Sequence, residues 1–178
     1  MSFMHTLHNR VILCRIQRTM LLTPHTFVGM AVAVSVPNPY IAVPLSFVLH
    51  FFGDKVPHWD FFSNTRVEER LKGWRIFAVM ADFGLAIAAG LTLTFYALWA
   101  LQNSALALNI FLCCFASTLP DALEAPHLYF GISDPVTRGL TKIQHKMQFQ
   151  APLPWGIISQ LVVIGFCLVL LADSLLQV

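Results

Sequence analysis

The sequence predicts an all-α fold: a polytopic membrane helical bundle with a short N-terminal helical hairpin and three longer spans. Three observations predict it. Hydrophobic residues make up 57% of the 178 residues, charged residues only 11%, and the mean hydropathy is +0.68. A soluble domain carries about 25% charged residues, so composition argues against a soluble fold. Long apolar stretches are separated by turn residues, and the basic residues gather in three segments of the chain.

The elements follow in order. The first nineteen residues hold Arg10, Arg15 and Arg18 without an acid and read as a basic extension; residues 20–178 read as a single membrane helical domain. A basic start before an apolar run has the form of a signal peptide, but Thr23-Pro24-His25-Thr26 interrupts the run at once, and Met20 is an alternative start. Thr23-Pro24 predicts a helix start, with Thr23 as N-cap and Pro24 in the first helical position, and the helix runs to about Ser35. Pro37-Asn38-Pro39 predicts a turn, and a second helix covers about Tyr40 to Asp54. Fifteen residues reach about 22 Å at 1.5 Å per residue, short of a ~30 Å hydrocarbon core. Residues 55–75 are polar and predict a loop with a short interfacial helix. Trp74 to Leu101 predicts a long span, Gln102-Asn103-Ser104 a tight turn, and Ala105 to Leu119 a further helix stopped by Pro120. Residues 121–150 are polar again, and Pro154 to about Leu176 predicts the last span.

The basic residues give a topology. With the N-terminus cytoplasmic, all eleven Lys and Arg fall on the cytoplasmic side: three before the hairpin, five from Lys55 to Arg75 and three from Arg138 to Lys146. That is a positive-inside pattern with a periplasmic C-terminus. The net charge of +2 gives no reason to expect nucleic acid as a partner. None of the cysteines, Cys14, Cys113, Cys114 and Cys167, stands in a CxxC pattern, so they read as small buried hydrophobes.

The most informative stretch is Pro44 to Asp60, PLSFVLHFFGDKVPHWD. His50 and Asp54 are four residues apart and share a helix face. Pro57 ends the helical path, and His58 folds back towards the same point. Imidazole and carboxylate together suit zinc, iron or manganese; the competing reading is a helix end whose polar residues meet water. The topology brings His25, Asp82 and Asp121 to the same side. The candidate ligands are therefore His25, His50, Asp54, His58, Asp82 and Asp121, a supply sufficient for one or two ions. Asp82, in VMADFGLA, is a carboxylate about two turns inside an apolar helix and thus a functional candidate; a hydrogen bond that packs helices is the alternative. His145, Glu124 and Asp60 are the candidate general acids and bases. Asp173 reads as interfacial, and His5, His8 and His127 as surface residues. FVLHFFGDKVPHWDFF and FLCCFASTLPDALEAPHLYF form a weak internal echo, as two hairpins facing one site would, although chance explains it equally well.

The pattern Thr-Pro-His25-Thr-x-x-Gly29, followed by His50-x-x-x-Asp54-x-x-Pro-His58-x-Asp60, resembles a bacterial family of small membrane-bound, metal-dependent hydrolases, the group that includes the LexA-regulated inner-membrane hydrolase. The resemblance covers residues 20 to 60, and Leu119-Pro120-Asp121 is similar to the family's Pro-Asp pair. Asp54-Lys-Val-Pro-His58-Trp-Asp60 departs from the family's more usual Asp-x-Asp-His. The resemblance implies a bacterial inner-membrane hydrolase that uses a divalent transition metal, zinc or manganese, at the cytoplasmic face. The location suggests membrane lipid as surroundings and a phosphoester or lipid-like substrate. Two other readings compete: a haem or quinone electron carrier with paired histidines, and a non-enzymatic transporter or scaffold. HExxH, GxSxG, Walker A and Rossmann motifs are absent.

The topology predicts that a reporter fused after Val178 is periplasmic and one inserted near Ser63 is cytoplasmic. The opposite pair of readings would overturn the convergence of the candidate ligands on one face.

Overall fold

The computed structural model describes residues 21–61, 72–130 and 134–176. Among them the chain is helical, with one isolated parallel bridge between His58 and Gln150. The helices are α1 (Leu22–Ser35), α2 (Pro39–Gly53), α3 (Trp74–Phe95, extended by a π-helical turn over Tyr96–Ala100), α4 (Ser104–Phe130), α5 (Pro135–Met147) and α6 (Trp155–Leu176). Three stretches are long and apolar enough to cross a membrane: Trp74–Ala100, Ser104–Pro126 and Trp155–Leu176, of 27, 23 and 22 residues. The first two helices, of 14 and 15 residues, form the expected short hairpin. Asn38 closes its turn, accepting from the Tyr40 amide ahead of α2 with Pro39 in the first turn.

Helix α1 is the centre of the bundle and packs against α2, α3, α4 and α6. Buried residues occur all round it, from Thr23 and His25 to Met30 and Ala33, so it has no solvent face. Its contact with α4 is close because residue 29 is glycine: a Cβ there would lie 2.7 Å from both the Cys113 carbonyl oxygen and Ser117 Oγ. The buried apolar positions are mostly small, including Ala33, Ala42, Ala97 and Cys113, whereas Phe166, Val169 and Leu161 of α6 face outward. Small residues between helices and large apolar ones outside is the pattern of a bundle packed against lipid.

A buried helix must have its end groups satisfied. At the start of α1 the Asp82 carboxylate, reaching across from α3, accepts from the Leu22 amide (2.7 Å), the Thr23 amide (3.2 Å) and Thr23 Oγ1 (2.6 Å). At its other end Asn109 of α4 donates through Nδ2 to the carbonyls of Ala33 and Val36, both at 2.9 Å. The sequence reading of Thr23 as N-cap is therefore corrected: Leu21 holds that position, and a carboxylate sixty residues away does the capping.

One further expectation changes. Pro120 does not stop α4, which continues through Pro120 and Pro126 to Phe130. Proline costs one amide and crowds one carbonyl, and the surrounding packing carries the helix past it. The polar stretch after it holds a further helix, because Asp134 starts α5. Its side chain accepts from the Val136 and Thr137 amides, Thr137 completes a capping box, and Pro135 fills the first turn. Those bonds, led by the one from the Thr137 amide, hold the exposed Asp134 carboxyl below its ordinary range. The interfacial helix expected between 55 and 75 falls mostly outside the described residues.

The capping geometry predicts the behaviour of two variants. Asp82→Asn keeps the shape but replaces one accepting oxygen with a donor, so it lowers stability by about 1 kcal/mol, the scale of a lost cap. Asn109→Leu leaves two carbonyls without their partner and costs about 1–3 kcal/mol. Detergent unfolding midpoints check both; wild-type midpoints in the two variants would show that α1 is not held by its ends.

Candidate metal centre

At one end of the bundle α1, α2 and α4 bring together His25, His50, Asp54 and Asp121. Each arrives for a local reason. His25 lies in the first turn of α1, the turn that Asp82 fixes. His50 and Asp54 share the last turn of α2, with Asp54 as its C-cap. Asp121 follows Pro120 in the middle of α4. All four are buried, none more than 7% exposed.

The separations are those of a ligand set. His25 Nε2 is 3.4 Å from Asp54 Oδ1, His50 Nε2 is 3.6 Å from Asp54 Oδ2, and His50 Nε2 is 3.6 Å from Asp121 Oδ1. Ligand atoms of His25, His50 and Asp121 all lie within 4.8 Å of one another. Four donors around a tetrahedral zinc with bonds of about 2.0–2.1 Å stand about 3.3–3.4 Å apart. Three of the donor pairs stand near that separation, and the atoms of His25, His50 and Asp121 would draw together from within 4.8 Å to close on an ion.

Its hydrogen bonding points the same way. His50 Nδ1 lies 2.8 Å from the Ser117 carbonyl. A carbonyl can only accept, so Nδ1 carries the proton and Nε2 presents its lone pair to the cluster. An imidazole oriented through its second nitrogen is the usual arrangement behind a metal ligand. The accepting carbonyl lies in α4, three residues before Pro120. His25 Nε2, both Asp54 oxygens and Asp121 Oδ2 are buried without a hydrogen bond of ordinary length among the described residues, and the Gln148 side chain is the polar group that approaches Asp54. Such groups are costly without a partner, and Asp121 also lies in the field of Asp54 and Glu124. A cation would relieve both penalties, so the residues fit a divalent metal. The rings of His25 and His50 stack with centroids 4.1 Å apart. They lie side by side, not on opposite faces of a macrocycle.

The other expected site residues are distributed around this cluster. His58 is fully buried, donates from Nδ1 to the Val56 carbonyl at 2.9 Å, and interacts electrostatically with His25 and Asp54. The turn that folds it back is secured by bonds from the His58 amide to the Phe149 carbonyl and from the Ala151 amide to the His58 carbonyl. Gly156 lets this loop dock on the start of α6: a Cβ there would lie 2.5 Å from the Trp59 nitrogen. Asp60 is buried and accepts from Gln150 Nε2 at 2.5 Å. Glu124 is buried one turn beyond Asp121. Asp82 serves the α1 end and exerts the weakest of the three carboxylate fields acting on Asp121. His145 is on the exposed side of α5, while its neighbour Gln144 is buried.

Gln144 is the residue that sequence reasoning missed. Its amide nitrogen donates to Asp121 Oδ1 at 3.0 Å and to His50 Nε2 at 3.2 Å. The partial positive charge of that amide faces two acceptors, where a cation's charge would be felt. The signal was present in the row Thr137, Thr141, Gln144, Gln148, uncharged polar residues on one face of a capped helix. The two echoed segments also meet here, since each supplies one carboxylate, Asp54 and Asp121. Comparison with known proteins found no matching family model, no matching curated protein and no matching solved structure.

Proposed function

We propose that this chain is a membrane-embedded, metal-dependent hydrolase whose ion is held by His25, His50, Asp54 and Asp121. The supporting observation is a buried cluster in which three donor pairs, His25–Asp54, His50–Asp54 and His50–Asp121, stand 3.4 to 3.6 Å apart and the atoms of His25, His50 and Asp121 lie within 4.8 Å of one another. A bound divalent ion supplies Lewis acidity and lowers the pKa of water to about 7. The chain supplies the remainder. His50 is fixed in one tautomer by Ser117. Glu124, beside Asp121, is the general acid or base of the three candidates best placed to move a proton at the cluster. With His50 and Asp121 holding a metal, Gln144 would offer its amide donor to an oxygen of the substrate.

The substrate class we favour is a phosphoester or another lipid-like molecule. A cavity of about 290 Å³ between α1, α3 and α4 supports this reading. It is lined mainly by apolar groups, including Phe83, Ile87, Phe111 and Phe115, and it reaches Thr26 beside His25 and Thr118 one turn before Asp121. An acyl chain seated there would bring its polar end towards the cluster.

Detergent-purified protein incubated with zinc or manganese is expected to retain one or two ions per chain, with most lost in His50→Ala and Asp54→Ala. Asp82→Asn retains wild-type metal per folded chain. Glu124→Gln keeps the metal but lowers phosphoester turnover about 10²–10⁴-fold, the range for a lost general acid or base. Folded wild type that retains no zinc or manganese contradicts the site. Full turnover in Glu124→Gln removes Glu124 from the chemistry.

A further inference from the structure

Helix α5 divides into three faces. Thr137, Thr141, Gln144 and Gln148 form one row, with Thr137 and Gln144 buried and the other two half-buried, and Gln144 reaches the metal centre. Val136, Leu140, Ile143 and Met147 form a second, apolar row, in which Val136 is 72% and Ile143 51% exposed. Arg138, Lys142 and Lys146 form a third, at steps of four, and all three are exposed. At 100° per residue the three rows point about 100–130° apart. An ordinary helix on a soluble protein buries its apolar row; α5 instead turns a neutral polar row inward and leaves apolar and cationic rows outside.

That arrangement suits a helix lying in the plane of a membrane surface, with apolar side chains dipping between lipids and cationic ones at the headgroups. The chain beyond α5 continues at the same level. Phe149, Leu153 and Trp155 are exposed and lead directly into the apolar span Trp155–Leu176. No ion pair among the described residues engages Arg138, Lys142 or Lys146; the Arg138 guanidinium donates through Nε to the Asp134 carbonyl at 3.3 Å.

We propose that α5 is a membrane-surface helix that docks on anionic phospholipid headgroups through Arg138, Lys142 and Lys146. This rests on the membrane placement of the chain and is independent of the metal and of the hydrolase reading. Its consequence is positional. Docking fixes α5 between the lipid surface and the cluster, so the same helix that reads headgroup charge holds Gln144 against His50 and Asp121.

The test is hydrogen–deuterium exchange of residues 135–147 in the full-length protein, reconstituted in nanodiscs of phosphatidylcholine alone or mixed with phosphatidylglycerol. Each basic residue near an anionic surface adds measurably to binding, so the three together are expected to slow exchange about 10- to 100-fold in the anionic discs. Raised salt should weaken the effect, and Arg138→Gln/Lys142→Gln/Lys146→Gln should remove it. These residues are exposed, so exchange in α1 and α4 of that variant stays at the wild-type level and reports an intact fold. Equal exchange in the two disc types overturns the proposal. So does protection that survives in the triple variant, or equal protection produced by inorganic phosphate in discs of phosphatidylcholine alone.

Discussion

The fold depends on keeping helix α1 satisfied at both ends while it is buried on all sides. A helix in the middle of a bundle cannot give its first amides and last carbonyls to water. Asp82 takes the amides of Leu22 and Thr23, and Asn109 donates to the carbonyls of Ala33 and Val36. The two side chains come from α3 and α4, so the caps also tie the central helix to its neighbours. A carboxylate at the amino end is further favoured by the helix dipole. Gly29 then lets α4 approach to the distance at which Ser117 can orient His50. The site is thus a consequence of how α1 is held: the turn that Asp82 fixes is the turn that carries His25.

The cluster raises the opposite problem. Its members are buried, yet several of their donor atoms have no hydrogen bond among the described residues. The Asp121 carboxylate is buried in the field of two others, Asp54 and Glu124. Such a group must be neutralised by protons or by a cation. The Gln144 amide meets part of this need with one hydrogen bond to Asp121 and one to His50, while Asp121 Oδ2 keeps no hydrogen bond among the described residues and Asp54 has only the approach of Gln148. A divalent ion held here would satisfy all of them, and its binding would then add to the stability of the fold.

Much of this was legible in the sequence. Apolar length and turn residues gave the short hairpin and the three long helices, and the four-residue step from His50 to Asp54 gave the heart of the cluster. What was not legible depended on contacts between distant segments. Nothing near Asp82 indicates that its partner is the start of α1, because that pairing exists only after α3 packs on α1. Pro120 looked like a stop because an isolated helix would break there; in the bundle α4 continues past it. Helix α5 was hidden by an expectation of apolar burial. Its inward face is Thr and Gln, so its helical signals, the Asp134-Pro135 cap and the apolar row Val136, Leu140, Ile143 and Met147, do not point to the face that Gln144 turns inward. The family resemblance drawn from residues 20 to 60 has no support from comparison with known proteins, so the metal reading stands on geometry and chemistry alone.

The most direct measurement of the central claim is X-ray absorption at the zinc edge of the full-length, zinc-loaded protein. The geometry predicts a shell of about four nitrogen and oxygen donors at about 2.0–2.1 Å, with the multiple-scattering signature of two imidazoles and no sulfur. His50→Ala should reduce that signature to one imidazole. A shell of oxygens alone, or one containing thiolate from Cys113 or Cys114, would contradict a centre built from His25, His50, Asp54 and Asp121.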